Sequence, residues 1–88
     1  MGLSGYDAGM KSIRDQVYNI IASALDVKWS DIRPTSSWDD YEADSLAVVE
    51  LVFALEEHFG VSFEMVELER MKTVADAVRA IEQKRGAA

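Results

Sequence analysis

The stretch from Ser45 to Phe59 has apolar residues on two opposite faces of a helix, and no other segment constrains the fold as much. At about 100° per residue with Leu46 at zero, Val48, Leu51, Val52, Leu55 and Phe59 fall between about 140° and 240°. That stripe is wide enough to be a core face. Leu46, Val49 and Phe53 fall between about 300° and 360°, nearly opposite, and cannot join the same core. Glu56, Glu57 and Glu50, at about 280°, 20° and 40°, border this second stripe. Gly60 is a normal helix stop. One face therefore needs other helices packed on it. The other is either covered by the preceding loop or offered to a basic, partly apolar groove of a partner.

The rest of the chain supplies those helices. Ile13, Val17, Ile20, Ile21 and Ala24 form one apolar face and predict a helix from Ser12 to Leu25, with Ser12 and Asp15 spaced as a capping box. Thr73 and Asp76 have the same spacing at the head of a last helix over Val74 to Arg85, with Val74, Ala77, Val78 and Ile81 inward. Lys84 and Arg85 suit the C-terminus of that helix, and Gly86 follows it. A short helical turn is expected from Glu64 to Arg70. Between the first two helices lies a long connection, Asp26 to Ala43, broken by Pro34 and Thr35-Ser36-Ser37. Val27, Ile32, Trp38 and Tyr41 are its apolar pins. Met1 to Met10, with Gly2, Gly5 and Gly9, reads as a flexible leader; the folded domain spans 11–85 and a tail 86–88. The fold class is all-α, a small four-helix bundle of three main helices and a short third one.

Charge narrows the partners. The chain has 88 residues, with 9 Lys and Arg against 16 Asp and Glu, a formal net charge of −7. No Lys or Arg occurs from Pro34 to Glu69, where the acids concentrate. Nucleic acid is disfavoured, because phosphate contacts need clustered bases; basic protein surfaces are the expected partners. The absence of cysteine fits a reducing, cytoplasmic setting and leaves any thiol chemistry to an attached group. No apolar run reaches the roughly 18 residues needed to span a bilayer, and no signal peptide is visible. A monomer is expected.

Ser45 opens the two-faced helix, where free N–H groups and the positive dipole end suit a phosphate oxygen. Taken alone, Asp44 or Ser45 reads first as an ordinary N-cap, since such caps open many helices. A serine nucleophile needs an adjacent base. The one histidine, His58, lies thirteen residues along the same helix, roughly 20 Å away. Free phosphate would be repelled by Asp39, Asp40, Glu42 and Asp44. A covalent phosphodiester installed by another enzyme avoids both objections. The acids lack the glycine of a calcium-binding loop, and one histidine without cysteine leaves little for zinc, so no metal site is expected.

Asp44-Ser45-Leu46, followed by Val49-Glu50-Leu51-Val52, Ala54-Leu55-Glu56-Glu57 and Phe59-Gly60-Val61, closely resembles the acyl carrier proteins. So does Met71-Lys72-Thr73-Val74-Ala75-Asp76-Ala77-Val78. The likeness spans Ile13 to Glu82. It implies that Ser45 carries 4′-phosphopantetheine, transferred from coenzyme A by a phosphopantetheinyl transferase, which makes the chain a phosphoprotein. Asp44 and Leu46 would serve transferase recognition. Leu46, Val49, Glu50, Phe53, Glu56 and Glu57 would match partner-binding positions on a loading enzyme, a ketosynthase and other pathway enzymes. Val52, Leu55, Phe59 and Ile81 would face the acyl chain.

The expected role is a non-enzymatic carrier of thioester-bound acyl intermediates in a fatty-acid-like or polyketide pathway. The alternatives are an aminoacyl or peptidyl carrier and an unmodified acidic helical adaptor. The chain departs from the family pattern at Tyr41-Glu42, where Leu-Gly is usual. It departs again at Ala47, Phe53 and Ser62-Phe63-Glu64-Met65, which suggests a dedicated carrier for a specialised pathway.

Overall fold

A computed structural model describes residues 12–86; the leader over Met1 to Met10 lies outside the described residues, as do 87 and 88 of the tail. Four α-helices follow in order: α1 (Ile13–Leu25), α2 (Ser45–Phe59), α3 (Met65–Arg70) and α4 (Val74–Gly86). Among the described residues there is no strand, only an isolated antiparallel bridge between Ser37 and Thr73. No described helix is long and apolar enough to cross a membrane.

The core is built from the faces that periodicity selects. α1 contributes Val17, Tyr18 and Ile21; α2 contributes Leu51, Leu55 and Phe59; α4 contributes Val74, Ala77 and Ile81. Ile32, Trp38 and Met71 complete it. Among the described residues no polar or charged residue is buried, so the interior they form needs no internal ion pairs.

Helix ends follow local chemistry with three differences from expectation. Ser12 caps α1 by accepting the Asp15 amide at 3.1 Å, but Asp15 pairs with Arg14 at 3.2 Å rather than closing the box. α4 runs through Gly86 instead of stopping before it. Its basic end also works at a distance: Arg85 donates to the Phe59 carbonyl at 2.9 Å, capping α2, and Lys84 pairs with Glu67 of α3 at 2.9 Å. Long side chains reach neighbouring helices when those present a stronger acceptor than their own last turn.

Thr73 and Asp76 form the full reciprocal cap expected of them. The Asp76 amide donates to Thr73 Oγ1 at 3.2 Å, and the Thr73 and Lys72 amides donate to Asp76 Oδ2 at 3.0 Å each. Partial burial opposes ionisation of Asp76, but these donors and Arg79 outweigh it and hold the carboxyl below its ordinary range.

The long connection is not a cover for α2. It makes two 3₁₀ turns, Trp29–Asp31 and Trp38–Tyr41, and runs across the head of α4. There the Val74 amide donates to the Ser36 carbonyl at 3.0 Å and the Ala75 amide to the Pro34 carbonyl at 2.9 Å. These are the donors a helix N-terminus leaves unpaired. Trp38 fixes the crossing by donating its buried Nε1–H to the Met71 carbonyl at 2.8 Å. Of the four expected pins, Ile32 and Trp38 are buried, while Val27 and Tyr41 pack against the core half-buried. Tyr41 accepts the Arg33 amide on its hydroxyl at 3.0 Å. Glu42, in the position where the resembled family has glycine, sits in the left-handed region at φ 58°.

Candidate functional site

Asp44, not Ser45, is the N-cap of α2: its carboxylate accepts the Ala47 amide at 2.8 Å. That leaves Ser45 as the first helical residue, exposed, with Leu46 beside it. The capping is local chemistry, since an Asp at this place satisfies one of the helix's free donors. Its consequence is that the Ser45 hydroxyl need not cap and is presented to solvent at the positive end of the helix. The one histidine is far from it. His58 Nε2 lies 3.0 Å from Gln16 Oε1, joining the C-terminal end of α2 to α1. No general base on α2 stands next to Ser45.

The two faces of α2 separate as the helical projection requires. Leu46 is 65 %, Val49 45 % and Phe53 63 % exposed, so the loop does not cover them. α3 carries two further exposed apolar residues: Met65 is 71 % and Val66 50 % exposed. Exposed Glu50 and Glu57 stand on the same helix as the strip. Glu56, which periodicity grouped with them, is half-buried and committed inward: Oε2 accepts the Phe63 amide at 2.8 Å.

A cavity of about 350 Å³ opens between α2, the α2–α3 segment and α3. α2 supplies Val48, Val49, Leu51, Val52 and Phe53 to its wall. Trp38, Phe63, Leu68 and Met71 close it, and Glu56 is the one ionisable residue in the lining. The volume exceeds twice the ~150 Å³ that suffices to hold benzene in an apolar protein cavity. A shallower groove lined by Asp39, Ala43, Asp44 and Ser45 shares Trp38 and Val48 with it. The groove beside the serine and the cavity thus adjoin at Trp38 and Val48.

Of the four residues expected to face an acyl chain, only Val52 lines this space; Leu55, Phe59 and Ile81 lie in the core between α1, α2 and α4. Angle alone does not separate them, since Val48 and Leu51, at about 200° and 140°, also line the cavity; Leu55 and Phe59 share that face but lie farther along α2. Phe63, Leu68 and Trp38 were missed as cavity walls because they join α2 only in three dimensions.

Comparison with known proteins agrees with this geometry. A sequence profile described as the phosphopantetheine attachment site matches residues 15–81. The acyl carrier protein of Picosynechococcus sp. is 41 % identical over 78 residues, covering 88 % of this chain and 96 % of that protein. The acyl carrier protein of Solidesulfovibrio magneticus is 37 % identical over 76 residues, covering 85 % and 97 %. With a helical bundle, an exposed serine heading α2 and an apolar cavity within reach, the chain belongs to the acyl carrier protein family, whose cofactor is covalently attached 4′-phosphopantetheine.

Proposed function

We propose that Ser45 is the attachment point of 4′-phosphopantetheine. In this reading a phosphopantetheinyl transferase forms a phosphodiester at the Ser45 hydroxyl as the phosphoanhydride of coenzyme A breaks, with adenosine 3′,5′-bisphosphate leaving and the hydroxyl proton released. Asp44 and Leu46 flank the hydroxyl for that enzyme. The amide N–H groups of the first turn of α2 favour the new phosphate. The observation that carries the reading is the exposed, uncapping Ser45 at the head of α2, beside a groove that shares walls with an apolar cavity.

The protein then acts as a cytoplasmic carrier rather than a catalyst. Its arm holds acyl groups as thioesters and presents them to a loading enzyme, a ketosynthase and other enzymes of a fatty-acid-like or polyketide pathway. Between encounters the chain rests in the cavity against Val52, Phe53 and Phe63. Leu46, Val49 and Phe53 supply apolar docking area, and Glu50 and Glu57 supply encounter rate and orientation toward basic surfaces. Such docking weakens as salt rises, because exposed charges are screened over about 10 Å at 0.1 M.

Intact mass after incubation with coenzyme A and a broad-specificity transferase tests the assignment. A gain of one phosphopantetheine, lost in Ser45→Ala, is expected. Loading that survives Ser45→Ala overturns the site. A folded wild type that gains nothing overturns the carrier reading.

A further inference from the structure

We propose, resting on the acyl-chain reading of the cavity, that Glu56 is a positioning residue whose carboxylate holds the Phe63 wall closed. The residue that periodicity assigns to docking is, on this view, the latch of the cargo cavity.

The segment between α2 and α3 has no regular secondary structure, so its backbone needs outside partners. Glu56 provides three of them. Its carbonyl accepts the Gly60 and Val61 amides at 2.8 and 3.1 Å, and its Oε2 accepts the Phe63 amide at 2.8 Å. The next anchors lie beyond Phe63: the Glu64 amide donates to Glu67 Oε1 at 2.7 Å, and Lys84 binds Glu67 at 2.9 Å. Lys84 Nζ also stands 5.3 Å above the Phe63 ring. Phe63 is thus held at its backbone by a carboxylate of α2 and on its ring by a cation of α4.

This also accounts for a carboxylate in an otherwise apolar wall. A charge beside apolar cargo is unfavourable unless hydrogen-bonded, and the Phe63 N–H is a fixed donor for it. Without that acceptor the Phe63 amide turns to water, and the wall keeps only the Lys84 contact and the packing of its ring against the core.

The latch and docking roles separate by substitution. Glutamine keeps an acceptor oxygen and removes the charge; alanine removes both. A latch survives Glu56→Gln and fails in Glu56→Ala. A pure docking charge is lost equally in both.

The experiment uses the full chain carrying Trp29→Phe, which leaves Trp38 of the cavity wall as the sole tryptophan of the two. Acetyl- and octanoyl-phosphopantetheine are installed from the corresponding coenzyme A thioesters, and mass verifies each product. Amide exchange of Phe63 is followed by NMR on unloaded and loaded protein. Trp38 emission is compared between the two loaded forms.

In Glu56→Ala, Phe63 exchange is expected to rise about tenfold or more. The octanoyl-dependent change in Trp38 emission is expected to fall by more than half, with Leu55 and Ile81 amides still protected. Glu56→Gln is expected to match the parent in both readouts. Unchanged Phe63 exchange in Glu56→Ala, a Glu56→Gln variant that behaves like alanine, or core amides that loosen in step with Phe63 would each overturn the latch. Failure to load appears in the mass and overturns the Ser45 reading instead, while exchange on unloaded protein still decides the latch.

Discussion

The two faces of α2 use the same kinds of side chain for opposite ends. Leu51, Leu55 and Phe59 disappear into the core, while Leu46, Val49 and Phe53 stay in water a half-turn away. Nothing in their composition separates the sets; only angle does. The comparison teaches that a small acidic bundle can hold a fold-forming face and a contact-forming face on one helix. It does so by routing its long loop over the head of α4 instead of over the second stripe.

Substitution on each face should break the symmetry. Leu55→Ala, in the closed interior, should destabilise by about 2–5 kcal/mol in urea unfolding. Phe53→Ala should shift stability by no more than about 0.5 kcal/mol in the same assay. If Phe53→Ala proves as costly as Leu55→Ala, the outer face is part of the core after all. If both are mild, the interior relaxes more than close packing allows.

The head of α4, where the diverted loop lands, gives a sharper and smaller test. Removing the Asp76 cap in Asp76→Ala should cost about 1 kcal/mol. The sign of its pH dependence follows from the lowered folded-state value. Asp76 binds protons more weakly folded than unfolded, so its contribution is present above the ordinary carboxylate range. It is lost as pH falls through the lower folded value. Thermal melts of wild type and Asp76→Ala should therefore converge in acid; a gap that persists there would contradict the assigned cause.

A further small effect belongs to the loop itself. Glu42 holds a left-handed backbone at φ 58°, a strain of about 1–2 kcal/mol for a residue with a Cβ. Glu42→Gly relieves it but loosens the unfolded chain, so a net stabilisation of about 0.5–1 kcal/mol is expected from urea unfolding. A neutral or negative result would mean that the glutamate side chain compensates locally.

How much of this was legible in the sequence depends on how local each feature is. α2 begins at Ser45 and ends at Phe59 because Asp44 and Gly60 are neighbours in the chain. The Thr73–Asp76 cap was readable for the same reason. The loop's course was not, since it depends on Trp38 meeting Met71, 33 positions away, and on Ser36 meeting Val74. The walls that Phe63, Leu68 and Trp38 give the cavity were not legible either, because angle along one helix does not say which neighbour stands opposite. Glu56 looked like another surface acid for the same reason: its partner is the backbone of Phe63, and a main-chain donor leaves no mark in a list of side chains.

The bond from Arg85 to the Phe59 carbonyl places a limit on shortening this protein. The family match ends at residue 81, yet Lys84 and Arg85 tie the last turn of α4 to α3 and to the end of α2. Contacts between the helices therefore extend beyond the stretch that the profile matches. A version cut at the profile's edge would retain Ser45 and every core residue. It would lose the two cations that tie α3 and the end of α2 to α4.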